Sequence, residues 1–270
     1  MKYVIDHDYH LHSGLSLCSG DPEQTAAALI RYGEDNNYRQ ICITDHFWDE
    51  KVPLAAESHF YQVQNLEHIR PILPLPQGEH TKFLFGCETD LDKNLTLGVS
   101  GERMDLFDMI VIPINHLHMD GFTIEQSDVD SLERRAVLWA ERMDAVLDMD
   151  LPFERIGLAH LTDGLTASKN KGDHVKVFSM IEQKTLDRLF EKAEARHVGI
   201  ELNFVIDYCT AEEMKVHERV FSTAKRKGCR FYFGSDSHHP KKLEISPDNF
   251  RRIADLLDLT EDEKFTPAAR

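Results

Sequence analysis

Short apolar segments alternate with longer amphipathic ones along nearly the whole chain. The short segments have the length of strands, and in the longer ones apolar residues recur at helical intervals. The predicted strands are Lys2–Asp6, Gln40–Thr44, Lys82–Cys87, Phe107–Ile112, Ile156–Ala159, Gly199–Asn203 and Phe231–Gly234. Alternation of this kind predicts parallel strands joined by helical crossovers, and therefore an α/β fold.

The amphipathic segments also carry helix-start and helix-stop signals. Asp21-Pro22 predicts a helix start, with Asp21 as N-cap and Pro22 at the first helical position. Further helices are predicted at about His59–Ile69, Val129–Leu147, Phe178–Arg196, Glu212–Lys227 and Asp248–Leu257. The polar segment after Glu261 is predicted to be a loose tail. Because no repeat or linker divides the sequence, we expect one domain over residues 1–270.

Composition narrows the classes of function. The net charge is −16, from 47 acidic and 31 basic residues, so the surface should repel nucleic acid. The apolar run Met109–Ile112 is too short to span a bilayer, and the first residues do not form a signal peptide. We therefore expect a cytoplasmic protein without a membrane partner. The oligomeric state stays open. The five cysteines lack Cys-x-x-Cys spacing, which favours free thiols.

Residue types that bind metals follow the predicted strands. These residues are His10, His12, Asp45, His46, Glu88, His116, His160, Glu201, Asn203, Asp236 and His238. His10 and His12 are two positions apart, so in an extended segment both imidazoles point to one side. In a closed barrel all the strand ends converge on one mouth, whereas in an open sheet the outer ends stay far apart. The distribution therefore favours a closed barrel.

The mixture of ligand types indicates which metals such a site would bind. Imidazole with carboxylate suits zinc, manganese or iron better than calcium or magnesium. Glu88 is a candidate bridge between two metals. Other histidines are predicted to lie on the surface, namely His59, His68, His80, His174, His197 and His217. His7, His118 and His239 adjoin the candidate ligands, but we do not expect them to bind metal.

Several short motifs together resemble the PHP (polymerase and histidinol phosphatase) family, in particular its stand-alone histidinol-phosphate phosphatases. The motifs are Asp8-Tyr9-His10-Leu11-His12-Ser13, Thr44-Asp45-His46, Gly86-Cys87-Glu88, Asn115-His116, Ala159-His160 and Gly234-Ser235-Asp236-Ser237-His238. The resemblance implies a distorted, TIM-like (β/α)7 barrel with two or three divalent metals at its mouth. It implies that one metal binds His10, His12, Glu88 and Asp236. A second would bind Glu88, His116 and His160, and a third His46 and His238.

The third site is where the sequence departs from the family. The family places an Asp or His five or six positions after the second histidine of its first motif, where this chain has Leu17 and Cys18. Asp21 is our preferred substitute ligand, although it is also the predicted N-cap. Cys18 remains the alternative, either as a thiolate ligand or as a small buried residue.

These observations lead to a working hypothesis of phosphomonoester hydrolysis. A hydroxide bridging two metals would attack the phosphorus of a small-molecule phosphate ester, with Glu88, Asp236 and His238 as catalytic residues. Lys169 and Lys171 are candidates for phosphate binding, although lysines in such loops are more often plain surface charges. Two alternatives remain open. The same metals can activate water against a C–N or carboxylic-ester bond, as in amidohydrolases, or the domain can be a non-catalytic metal-binding module.

Overall fold

The computed structural model describes residues 1–269, in which seven parallel strands form one sheet in chain order. The strands are β1 (His7–Leu11), β2 (Gln40–Ile43), β3 (Lys82–Glu88), β4 (Met109–Pro113), β5 (Ile156–Ala159), β6 (Gly199–Leu202) and β7 (Arg230–Phe233). The residues after β7 return to β1: the His12 N–H donates to the Ser237 carbonyl (3.0 Å) and the Asp236 N–H to the His10 carbonyl (2.6 Å). The sheet is thus nearly closed, which confirms the predicted distorted (β/α)7 barrel.

Helices connect successive strands, and the last helix follows β7. They are α1 (Ala26–Asp35), α2 (His59–Val63), α3 (Leu66–Ile69), α4 (Gly101–Met104), α5 (Leu132–Asp148), α6 (Asp173–Met180), α7 (Gln183–Arg196), α8 (Ala211–Arg226) and α9 (Pro240–Leu256). Their starts follow local capping chemistry. In α8, for example, the Thr210 hydroxyl accepts the Glu213 N–H (3.2 Å) while the Glu213 carboxylate accepts the Thr210 N–H (2.7 Å). Within residues 1–269, every helix is too short or too polar to cross a bilayer.

Several predicted boundaries were wrong. The first strand is His7–Leu11 and not Lys2–Asp6, because a strand that carries site residues is less apolar than the segment before it. Helix α1 starts after Thr25, whose hydroxyl accepts the Ala28 N–H (3.2 Å). Asp21 is therefore not the N-cap, and its carboxylate instead accepts the Glu23 N–H (2.8 Å).

The predicted long helices are also divided or shifted. The helix predicted at Phe178–Arg196 is two helices, α6 and α7, which meet at the buried Ile181. The helix expected around His59–Ile69 is α2 followed by α3. Helix α9 starts at Pro240, well before the predicted Asp248, and continues through Pro247.

Alternate residues of most strands belong to two different cores. In β3, Phe83, Phe85 and Cys87 pack with residues of the helices in the large outer core. Leu84 instead joins a small inner cluster inside the barrel, with Tyr9, Cys42, Met109, Val111, Ala159, Tyr232 and Phe265. Glu88, four residues after Leu84, points to the same side because side chains alternate with a period of two. The barrel interior is therefore apolar at the amino ends of the strands and polar at their carboxyl ends.

The C-terminal segment belongs to this interior. Phe265 is buried in the inner cluster, and its N–H donates to the Phe231 carbonyl (2.8 Å). The Ala268 N–H donates to the Glu154 carbonyl (3.0 Å). The expectation of a loose tail after Glu261 was therefore wrong, because one aromatic residue in a polar segment is enough to seat it on the barrel.

Candidate metal centre

The carboxyl ends of the strands bring several imidazoles around one carboxylate, that of Glu88 at the end of β3. Glu88 is buried, and its side chain is 1% exposed. The distances from its oxygens to the imidazole nitrogens are 3.1 Å for His46, 3.3 Å for His12, 3.4 Å for His160, 3.5 Å for His10 and 3.9 Å for His116. Side chains that are far apart in the sequence thus share one site because parallel strands end at the same edge.

The five imidazoles face different oxygens of the Glu88 carboxylate. Oε2 faces His10, His12 and His46, whereas Oε1 faces His116 and His160. A carboxylate with donors on both sides has the geometry required to bridge two cations.

Two groups of side chains have ligand atoms within 4.8 Å of one another, close enough to share an ion. One group is His10, Glu88, His160 and Asp236, and the other is His12, His46 and His238. This grouping differs from the assignment that the resemblance implies, since His12 lies with His46 and His238. His12 also lies 3.2 Å from Asp236 Oδ1, so it stands at the boundary between the groups.

Three of the imidazoles are oriented by a second polar group. The His10 Nδ1 lies 2.6 Å from Glu201 Oε1, and the His116 Nδ1 lies 3.1 Å from the Asp90 carboxylate. The His12 Nδ1 lies 2.8 Å from the Ser16 hydroxyl, which donates to Asp45. In each case Nδ1 is occupied by an outer partner and Nε2 points toward Glu88. Histidine ligands of metals typically have such an outer acceptor, which fixes the tautomer.

Unsatisfied polar atoms at the centre test whether this donor set fits a metal. Buried atoms without a hydrogen-bond partner in the described chain include both Glu88 oxygens, His46 Nδ1, His116 Nε2, His160 Nε2 and Asp236 Oδ1. Buried polar atoms are normally paired, because leaving one unpaired costs about 1–3 kcal/mol. Their convergence on one point, with nitrogen and oxygen donors only, fits divalent transition metals.

The carboxylates and imidazoles also shift one another's pKa. Burial alone would lower the pKa of His10, but the Glu201 and Glu88 carboxylates outweigh burial and raise it well above its ordinary value. For His46 burial prevails and lowers the pKa to about 3, despite Glu88. Burial would raise the pKa of Glu88, yet the surrounding histidines, led by His46 and His10, hold it well below its usual value. Glu88 is therefore an anion that this site is built to keep ionised.

Two candidate ligands have left-handed backbones that glycine usually occupies. His160 has φ 54° and Asp236 has φ 47°. Hydrogen bonds stabilise both backbone conformations. The His160 N–H donates to Glu201 Oε2 (2.9 Å), and the Lys242 ammonium donates to the Asp236 carbonyl (2.9 Å). Such conformations cost roughly 1–3 kcal/mol and concentrate at functional sites. The strain turns each side chain inward at the strand end.

The pocket above this centre has one apolar wall. Its volume is about 490 Å³, and its lining includes Phe60, Tyr61, Met119, Phe122 and Leu165 beside the metal-facing side chains. Cys18 lines this pocket, whereas Asp21 is not among the described residues that do. The structure therefore places the alternative third ligand, and not the preferred one, beside the cluster.

Other predicted residues lie elsewhere. Lys169 is exposed and pairs with Asp130 (2.5 Å), and Lys171 is exposed. Neither lysine is among the described residues that line the pocket, so the structure does not support a phosphate-binding role for them. The surface prediction was wrong for His174 and His217, which are buried in a second cleft beside the site.

Sequence reasoning missed the partners of the imidazoles. Glu201 was noted at a strand end, but its contact with His10 was not anticipated, and Asp90 was not considered. The signal for Asp90 was its position two residues after Glu88, where a side chain of an extended segment returns to the same side. Tyr61 donates a hydrogen bond to Asp90, and the Arg142 guanidinium lies 3.8 Å from it.

The fold and this cluster define a (β/α)7 barrel with an imidazole- and carboxylate-rich mouth. One solved structure that it resembles is histidinol phosphate phosphatase from Lactococcus lactis subsp. lactis, which was solved with zinc, L-histidinol and phosphate. The TM-score is 0.58 at 16% identity, over 97% of this chain and 98% of that one, and this likeness establishes the fold.

A second solved structure, of an uncharacterised protein, matches 97% of this chain and 71% of its own with a TM-score of 0.41 and 11% identity. The sequence matches no protein-family model and no curated protein.

Proposed function

We propose that this protein is a metal-dependent hydrolase that cleaves small phosphomonoesters. The observation that carries the proposal is the buried Glu88 carboxylate, whose unpartnered oxygens face five imidazoles. The described cluster contains only nitrogen and oxygen donors, which suits zinc, manganese or iron. The fold shared with a zinc-containing phosphatase agrees with this chemistry.

The side chains around Glu88 fall into groups according to the cation position that each would occupy. Glu88 would hold two cations, with His10 and Asp236 beside one and His116 and His160 beside the other. His12, His46 and His238 would form the third position. Divalent ions in such a site supply Lewis acidity and neutralise charge that develops on a phosphoryl group. Glu201, Asp90 and Ser16 would keep each Nε2 directed inward.

Asp236 and His238 are our candidates for proton transfer. Their side chains are 17% and 23% exposed, whereas that of Glu88 is 1% exposed. A group that exchanges protons with a substrate oxygen must reach the pocket, and both of these do. Burial lowers the pKa of His238 to about 4, so its imidazole is uncharged at neutral pH.

The test is phosphate release from a panel of phosphomonoesters by protein loaded with zinc or manganese. We expect turnover of monoesters and poor turnover of matched phosphodiesters, because a dianionic terminal phosphate can meet more cations than a diester can. A higher kcat/KM for a model diester than for its monoester would reject monoesterase activity. Inertness to both, with cleavage of an amide or lactone panel, would instead establish the amidohydrolase alternative.

A further inference from the structure

A second cleft of about 490 Å³ opens beside the metal pocket, and the two share Asp236. We call it the lysine cleft. Its walls come from the segments after β5, β6 and β7, and its lining includes Asn203, Tyr208, His217, Lys241 and Lys242. A scissile phosphate held at the metal centre would have this cleft next to it. The space is much larger than a phosphate needs, so it can hold the rest of a substrate.

The floor of the lysine cleft is fixed and uncharged. The His217 ring stacks on Phe204 at 4.1 Å, and its Nδ1 lies 2.7 Å from the Thr162 hydroxyl. Its Nε2 lies 3.4 Å from the Cys209 thiol. Burial lowers the pKa of His217 to about 4 and raises that of Cys209 to about 11, so both are neutral at physiological pH. The floor therefore supplies shape and hydrogen bonding but no charge.

The positive charge of the lysine cleft comes from the first turn of α9. Lys241, Lys242 and Ile245 line the cleft from one side of this helix. The Lys242 ammonium is occupied by Asp236, at 2.9 Å from the carbonyl oxygen and 3.4 Å from Oδ2. Lys241 is exposed, and within residues 1–269 its ammonium has no hydrogen bond or ion pair. A cation is thus available in the cleft on a protein whose net charge is −16.

Two acidic residues of the lysine cleft, Glu213 and Asp163, already interact with neighbouring groups of the protein. Glu213 accepts the Thr210 N–H (2.7 Å) and lies 3.2 Å from His174 Nε2. Asp163 accepts the Leu165 N–H (2.7 Å) at the start of a short helical turn. By contrast, the apolar pocket above the metals has no lysine or arginine among its described lining residues. The two clefts therefore differ in the charge that they offer to a substrate.

We propose that the lysine cleft binds the leaving group of the substrate, and that Lys241 selects phosphate esters whose leaving group carries a carboxylate. This inference rests on the proposed function. One available ammonium matches one carboxylate, and the carboxylates of Asp163 and Glu213 in the same cleft already accept hydrogen bonds. The tyrosine at the rim, Tyr208, is 75% exposed and can cover the bound group.

Binding is tested with two non-hydrolysable phosphonates that differ by one carboxylate, 4-phosphonobutyrate and butylphosphonate. Calorimetry on the zinc-loaded protein should show that the carboxylated ligand binds about fivefold more tightly, the value for a partly exposed ion pair. This preference should fall with added salt. It should vanish or invert in Lys241→Glu and persist in Lys241→Arg. Equal affinities in the unaltered protein would overturn the inference.

Turnover separates this inference from the proposed function. The ratio of kcat/KM for 4-carboxyphenyl phosphate over phenyl phosphate should fall in Lys241→Glu. Lys215→Glu is the matched control, because Lys215 is an exposed lysine on α8 outside the lining of the cleft, and it should leave the ratio unchanged. The same fall in both variants would assign the effect to net charge and overturn the role of Lys241. Absence of phosphate release from both esters would reject the phosphatase, and phosphonate binding would still decide the role of the cleft.

Discussion

The two ends of the barrel interior are built from the same strands but satisfy opposite requirements. At the amino ends, Tyr9, Met109, Tyr232 and Phe265 pack as a closed apolar plug. At the carboxyl ends, Glu88 and its imidazoles are equally buried, yet many of their polar atoms have no partner within the described chain. At the apolar end only the Tyr232 hydroxyl, among the residues of the plug, lacks a partner within residues 1–269, whereas the polar end concentrates unpartnered nitrogen and oxygen atoms that suit a metal ion.

Small residues permit both arrangements inside a narrow barrel. A Cβ at Gly157 would lie 2.3 Å from the Tyr232 hydroxyl, and one at Gly199 would lie 2.7 Å from the Phe265 ring. At the other end, a Cβ at Gly234 would lie 2.1 Å from Glu201 Oε1 and 2.6 Å from the His10 Cβ. Glycine therefore makes room for aromatic rings at one end and for a histidine–carboxylate pair at the other.

The largest effect is expected at the polar end, from Glu88→Gln. The amide keeps the shape but cannot bridge two cations, so activity should fall by roughly 10³-fold, as it does when a preorganised electrostatic group is removed. Elemental analysis should show a loss of bound metal. The melting temperature of the metal-free protein should not fall, because the apolar end is untouched. Normal turnover with full metal content would contradict the bridging role.

At the apolar end, Phe265→Ala should act on stability and not on chemistry. Removing a buried aromatic ring leaves a cavity, and we expect a loss of about 3–5 kcal/mol in the free energy of unfolding. Denaturant titration of the metal-free protein measures this loss. Phe265→Leu is the control, and it should retain most of the stability. If Phe265→Ala also lowered metal content in the folded protein, the two ends would not be independent.

A smaller effect is expected from Glu201→Gln. Glu201 lies between the apolar and the polar end of the barrel interior. The amide can no longer serve His10 as a charged acceptor, so metal affinity should fall by roughly 10- to 100-fold. Competition with a chelator of known affinity measures the change. Unchanged affinity would mean that Glu201 acts only through the His160 N–H, to which its other oxygen is bonded.

The sequence predicted the barrel better than it predicted the first strand. β5, which is Ile156–Ala159, was predicted with its observed bounds because both of its faces are apolar. β1 was displaced because His7, Asp8 and His10 interrupt its apolar residues, and this hides the pattern that marks a strand. A functional strand is thus harder to locate from hydrophobicity than a structural one.

The candidate site, like the strands, was only partly predictable from the sequence. Residue type and position at strand ends were enough to propose the residues that surround Glu88. Glu201 and Asp90 depend instead on which strands become neighbours and on how each imidazole turns, and one sequence does not carry that information. Lys169 and Lys171 were proposed from charge in a loop, whereas Lys242 reaches Asp236 because of how α9 meets the strand end.

The smallest effect is expected from Asp21→Ser, because Asp21 is not among the described residues that line the metal pocket. The Asp21 carboxylate accepts the Glu23 N–H (2.8 Å), and the N-cap of α1 is Thr25. Serine can accept the same hydrogen bond, so we expect full metal content and a change in stability within about 0.5 kcal/mol.

Cys18→Ser is the informative partner, because Cys18 lines the pocket that His46 and His238 also line. If the third position uses the thiolate, Cys18→Ser should remove one equivalent of metal in elemental analysis while Asp21→Ser removes none. Loss of metal in Asp21→Ser alone would require the loop after His12 to fold inward when metal binds, and would restore Asp21 as the third ligand.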